Sequence, residues 1–225
     1  KAQIGAIQEA DFLQGELHDA NKELIGWDLP SYDDKGWKEV QIIEKPTNAV
    51  LSLYPSNPVR VIEKLYPKSI TPSKANTYMV DFGQNFAGNI QVHVKGAKGD
   101  TLTFRYGEMC YPDGRLMTEN LRSARATDYY VLRGNPNGET WTPKFTFHGF
   151  QYVEVSGLKF DPKKDFIEGL VLSSNLQNVG KFQSDNAMLN QLYSNIVWTQ
   201  RANYLDVPTD CPQRDERLGW TGDAQ

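Results

Sequence analysis

The chain has 225 residues, of which 39% are hydrophobic and 23% charged, a balance that fits one large or two small globular domains and argues against disorder. Net charge is −4 with no long basic run, so nothing recommends a nucleic-acid partner and none is expected, and no stretch approaches the roughly 20 apolar residues of a membrane span. Aromatic residues reach 12%, alongside 18 glycines and 12 prolines, so a β-rich, turn-rich body is expected rather than a helical bundle. The two cysteines, Cys110 and Cys211, are read as ordinary thiols. His18, His93 and His148 are too scattered for a metal cluster, and no oxygen-rich calcium series occurs. No metal or cofactor is indicated, and compartment stays open. The missing initiator Met is read as a start inside a longer product or after a cleavage.

In chain order, residues 1–57 are turn-heavy, with Trp27-Asp28-Leu29-Pro30 and Tyr32 to Trp37 leading to an apolar run from Val40 to Ile43. They are read as the tail of an N-terminal β-domain. Residues 58–180 read as strands. Val59 to Leu65 alternates; Tyr78 to Phe82 is expected to end at Gly83-Gln84-Asn85; Ile90, Val92 and Val94 alternate with polar neighbours, as do Leu102, Phe104 and Tyr106. Tyr129 to Leu132, then Phe145, Phe147, Tyr152, Val153 and Val155, and finally Leu170 to Leu172 complete the set. Short strands separated by Gly, Pro and Asn turns point to a two-layer, jelly-roll-like β-sandwich. From residue 181 the pattern becomes helical. Ser184 or Asp185 is the expected cap, Met188, Leu189, Leu192 and Ile196 form an apolar stripe, and the helix runs to about Asn203 before Val207-Pro208.

The chemistry concentrates in Asp210-Cys-Pro-Gln-Arg214-Asp-Glu216-Arg-Leu-Gly-Trp220-Thr-Gly-Asp223, where four carboxylates, two arginines and a tryptophan share fourteen positions. Carboxylates and arginines match paired sugar hydroxyls, and an indole face covers the apolar side of a pyranose. The competing reading is a solvated loop whose charges pair among themselves. Glycoside hydrolysis needs one carboxyl that donates a proton and a second that attacks or activates water. Composition leaves open which carboxyl is the acid, although adjacent Asp215 and Glu216 would point to different sides of an extended segment.

This segment resembles the signature of bacterial α-L-rhamnosidases of glycoside hydrolase family 78. The resemblance extends to Asp81 to Asn85 with Gly88, to Thr118 through Asp128, and to Phe147 through Val155. It implies an inverting hydrolase that removes terminal α-L-rhamnose from a glycoside or polysaccharide, with β-sandwich domains preceding an (α/α)6 barrel. By position, Glu216 resembles the general acid, Asp210, Arg214 and Asp223 the residues that hold the sugar hydroxyls, and Trp220 the aromatic wall. Residues 181–225 would then be the first helix and catalytic loop of a truncated barrel, with the general base beyond Gln225 and the rest of the barrel an expected partner. The motifs of the middle region are read as strand and turn architecture. A non-catalytic carbohydrate-binding module and a purely structural sandwich are the alternative readings.

Overall fold

The computed structural model describes residues 5–39, 41, 50–217 and 219–222. Val40, Ile42 and Ile43 of the early apolar run lie outside these residues. Strands β1 (Ile7–Asp11) and β2 (Gly15–Asp19) form a hairpin, followed by β3 (Val59–Leu65), β4 (Ser69–Lys74), β5 (Thr77–Val94) and β6 (Thr101–Gly107). Next come β7 (Thr127–Val131), β8 (Glu139–Trp141), β9 (His148–Ser156) and β10 (Ile167–Ser174), then α1 (Ala187–Asn203) and a two-residue hairpin, β11 (Tyr204–Leu205) with β12 (Val207–Pro208).

Among the described residues the first ten strands share one hydrogen-bonded sheet in the order β1-β2-β7-β6-β9-β5-β10-β3, with β4 and β8 also paired to β5. The sheet folds over into two layers because β5 serves both. Its first half pairs with β4 and β9, and its second half with β10 and β8. Trp141 of β8 therefore stacks across the core on Phe104 of β6 and Tyr130 of β7, with ring centroids 5.7 and 5.0 Å apart. The body is thus mainly β, as the strand pattern predicts. The alternating residues Ile90, Val92, Val94, Leu102, Phe104 and Tyr106 all point into the core, where burial of large apolar side chains contributes most of the folding free energy.

Three local expectations change. Gly83-Gln84-Asn85 does not end a strand; it is a bulge inside β5, where the pairing to β9 jumps from Asp81↔Tyr152 to Phe86↔Phe150. Gly83 supplies the φ of +73° that the bulge needs, and its N–H donates to Asp81 Oδ1 at 2.7 Å. Phe145 and Phe147 precede β9 rather than belonging to it, and Phe145 N donates instead to the buried Glu16 carboxylate at 3.0 Å. The helix cap is Asn186, one residue past the expected pair, its side chain accepting from the N–H groups of Met188 and Leu189. Ser184 still contributes, its hydroxyl accepting from Asn186 N at 3.1 Å.

A buried polar network joins four strands. Asp128 accepts from Glu16 N (2.8 Å) and from the Tyr106 hydroxyl (2.6 Å), and His148 Nε2 stands 3.1 Å from Asp128 Oδ2. Burial and the neighbouring Asp128 push the Tyr106 phenol well above its ordinary pKa, so it remains a proton donor. Glu16, Asp128 and His148 are all fully buried, which gives this network an architectural role.

Helix α1 lies against β5 and β10 through Trp198, which packs on the core and carries the Arg201 guanidinium 5.4 Å from its ring. The Met188, Leu189, Leu192 and Ile196 stripe is on another face and is exposed. The β11–β12 hairpin then turns at Asp206, whose φ is +74°, and rests on β10: Asp206 N donates to Ser174 Oγ at 3.0 Å and Ser173 Oγ to Tyr204 O at 3.3 Å. This turn aims the chain after Pro208 back across the sheet.

Candidate active-site loop

Residues 209–217 and Gly219 belong to a loop closed at its base by an antiparallel bridge between Thr209 and Gly219 and by Trp220 N donating to Pro208 O at 2.9 Å. Inside it, Arg214 Nη2 lies 2.7 Å from Glu216 Oε2 and 3.3 Å from Asp210 Oδ2, so one guanidinium joins two carboxylates six positions apart. Trp220 is half exposed at the rim of a groove of about 590 Å³, which Asp210 shares with Ile196, Thr199 and Asn203 of α1. Asp223 lies outside the described residues. Of the five candidates, then, Asp210, Arg214 and Glu216 are in one cluster and Trp220 is on the adjoining groove.

The charges of the loop are extensively paired, as the solvated-loop reading expects. Its charges do pair with one another, yet they also pair with the sheet. Asp215 takes a partner that Glu216 does not: its Oδ2 accepts from Ser123 N at 3.2 Å and from Ser123 Oγ at 2.5 Å. These hydrogen bonds, together with Arg122, hold the Asp215 carboxyl below the usual carboxylate range. Arg122 Nη1 reaches Glu216 Oε2 at 3.1 Å and Asp215 Oδ1 at 3.7 Å. Arg217 is drawn inward, with Nη1 donating to Phe147 O at 2.8 Å and to Phe12 O, and its guanidinium 4.6 Å above the Phe147 ring. Burial lowers its pKa to about 10, still far above neutrality, so it remains a cation.

Pro212 and Gln213 rest directly on β9. A Cβ added at Gly149 would stand 2.8 Å from Pro212 Cγ and 2.9 Å from Gln213 N, so only glycine permits this approach. A second groove of about 360 Å³ runs beside the contact, lined by Gln84, Asn85, Glu108, Trp198 and Cys211. Glu108 bridges the β5 bulge to the segment before β7, accepting from Asn85 Nδ2 at 2.8 Å and Asn120 Nδ2 at 3.2 Å. The Gly83 bulge, the residues around Arg122 and the start of β9, three separated motifs, thus converge beneath the loop. Arg122, Ser123 and Arg217 are site neighbours to which sequence reasoning gave no site role, although Arg217 lies in the charged segment and Arg122 and Ser123 in the Thr118 to Asp128 motif, which was read as architecture.

Asp210, Cys211 and Glu216 place one ligand-type atom each within 4.8 Å of one another. Burial pushes the Cys211 thiol up, keeping it protonated at neutral pH and a poor ligand, and Arg214 already supplies the positive charge between the carboxylates.

Three family models cover nearly the whole chain: an α-L-rhamnosidase N-terminal domain over residues 1–63, a bacterial α-L-rhamnosidase concanavalin-like domain over 71–173, and a bacterial α-L-rhamnosidase 6 hairpin glycosidase domain over 177–225. The chain belongs to the bacterial α-L-rhamnosidase family. It is 43% identical over 223 residues to an α-L-rhamnosidase of Streptomyces avermitilis and 45% identical over 224 residues to one of Formosa agariphila. These matches take in 99% and 98% of the chain but 22% and 24% of the relatives, so the chain spans under a quarter of their length. Among solved structures, the Streptomyces avermitilis α-L-rhamnosidase complexed with L-rhamnose superposes with a TM-score of 0.91 at 43% identity, covering 97% of this chain and 21% of that one. That from Dictyoglumus thermophilum gives 0.92 at 38% identity, covering 99% of this chain and 25% of that one. In this chain the candidate loop falls within the segment matched by the 6 hairpin glycosidase model, whereas the groups that hold it, Arg122, Ser123, Phe147 and Gly149, fall within the segment matched by the concanavalin-like model.

Proposed function

We propose that this chain supplies the acid half of an inverting α-L-rhamnosidase site, with a rhamnose-containing glycoside or polysaccharide as substrate. The observation that carries the reading is the Asp210–Arg214–Glu216 cluster beside the Trp220 groove, within a chain over 40% identical to curated α-L-rhamnosidases. In this mechanism Glu216 protonates the glycosidic oxygen as the bond to the anomeric carbon breaks. Its Oε1 makes no hydrogen bond among the described residues, which leaves one oxygen for the leaving group while Oε2 is held by two arginines. Asp210 and Arg214 bind sugar hydroxyls, Asp223 adds a further acceptor, and the Trp220 indole covers the apolar face of the ring. An inverting enzyme places its base about 6.5 to 9.5 Å from the acid, across the sugar, to activate water. No residue of this chain is assigned that role, and the hydrolysis needs no cofactor. On this proposal α1 and the loop open a helical barrel, against whose other helices the exposed Met188 to Ile196 stripe would pack.

The test is L-rhamnose release from an α-L-rhamnoside with a poor leaving group, by a protein of full family length that carries these residues. Glu216→Gln keeps the shape and loses the proton, so turnover should fall by roughly 10²- to 10⁴-fold while KM stays near wild type. Wild-type rates in the variant would overturn the assignment.

A further inference from the structure

We infer that Arg122, presented by the β-sandwich, is a positioning residue for Glu216, so that the rhamnosidase site is completed by a side chain from outside the glycosidase segment. The inference rests on the proposed role of Glu216 as acid.

The backbone at Arg122 is held in an unusual conformation. A 3-10 turn over Glu119–Leu121 ends there with φ +56° and ψ −119°, in the region that side-chain-bearing residues rarely adopt. Leu121 and Ala124 on either side are buried and pin the turn, and Gln14 Nε2 donates to Ser123 O at 3.1 Å from the β1–β2 hairpin. The surrounding structure therefore fixes the direction in which Arg122 and Ser123 project. Strain of this kind persists where neighbouring contacts over-determine it, and here what it presents is a two-residue clamp.

The clamp holds both adjacent carboxylates, with Arg122 Nη1 also 3.7 Å from Asp215 Oδ1. Ser123 takes Asp215 with both its N–H and its hydroxyl, and Arg122 Nη1 takes Glu216 Oε2 at 3.1 Å. Arg214 reaches the same Oε2 from within the loop at 2.7 Å. One oxygen is thus fixed from two directions, which sets the carboxyl plane and the direction in which Oε1 points. The Arg122 side chain is 55% exposed, so its ion pair adds little to folding, and its geometry matters more than its contribution to stability. A 1 Å displacement of a catalytic group is enough to cost about 10²-fold in rate.

The experiment compares two α-L-rhamnosides that differ in leaving group, one an alkyl glycoside that needs protonation and one an activated aryl glycoside that departs with little help. It uses a protein of full family length carrying this chain as wild type, Arg122→Met, Arg122→Lys and Arg122→Gly. Arg122→Met should lower kcat on the alkyl substrate by about 10- to 100-fold and on the aryl substrate by less than about 3-fold, with KM near wild type for both. Arg122→Lys should recover part of the loss. Arg122→Gly removes the guanidinium while relieving the backbone, so it should fold at least as well as wild type and show the same selective loss. Equal losses on both substrates, or no loss in either the Met or the Gly variant, would overturn the inference. A wild-type protein that folds but hydrolyses neither rhamnoside would instead overturn the functional reading on which it rests.

Discussion

Asp128 and the Asp215–Glu216 pair are both carboxylate centres that gather partners from distant parts of the chain, but they sit in opposite surroundings. Asp128 is fully buried with Glu16 N, Tyr106 and His148 around it, whereas the Asp215 and Glu216 side chains are 22% and 27% exposed against Arg122, Ser123 and Arg214. In the interior each donor left unpaired costs its full desolvation, so the Asp128 network is bound up with the stability of the sheet. At the loop, water competes for every contact, and the same kind of network mainly fixes direction.

The widest gap between the two regions should appear on deleting the buried carboxylate. Asp128→Ala strands Tyr106, His148 and Glu16 N together, and should destabilise the fold by about 3 kcal/mol or more, lowering Tm by roughly 6–12 °C. Urea unfolding with an unchanged m-value would measure it, and a loss below about 1 kcal/mol would break the contrast. A smaller effect is expected where the regions touch. Gly149→Ala drives a methyl into Gln213 N and Pro212, costing about 1–3 kcal/mol and raising amide exchange at Gln213 more than in β6; uniform protection across both would argue against the close approach. The smallest effect is electrostatic. The Asp215 carboxyl titrates below its usual 3.8 when docked, so its attachment to Ser123 is fully present above that value and is lost as pH falls through the lower folded one. Proteolysis of the loop between pH 5 and pH 2 should show this release, and Ser123→Ala should flatten the profile.

The two regions also differ in how far they were readable. Strands such as Leu102 to Tyr106 and Ile90 to Val94 declare themselves because alternate residues are buried without exception. Strand β4 does not: Ser69–Lys74 is largely exposed and contains Pro72, so no apolar alternation marks it. The run through Gly83 was misread as a turn because a left-handed glycine serves a bulge as readily as a chain reversal, and only pairing on both sides of β5 distinguishes them. The end of the helix at Asn203 was legible from Val207-Pro208, while its start depended on which of several capping residues won.

For the candidate site, the sequence alone singled out the residues proposed to carry chemistry, since carboxylates, arginines and a tryptophan are dense in one short segment whatever its shape. It also determined the family, because the spacing of those residues is long and specific. Only the tertiary structure decided that Asp215 faces Ser123 while Glu216 faces two arginines, and that one of those arginines comes from 94 positions away. Local patterning records which face of an element is buried. It holds no trace of which distant polar groups meet, because such pairs are set by how the sheet folds over, and that follows from packing summed over the whole core.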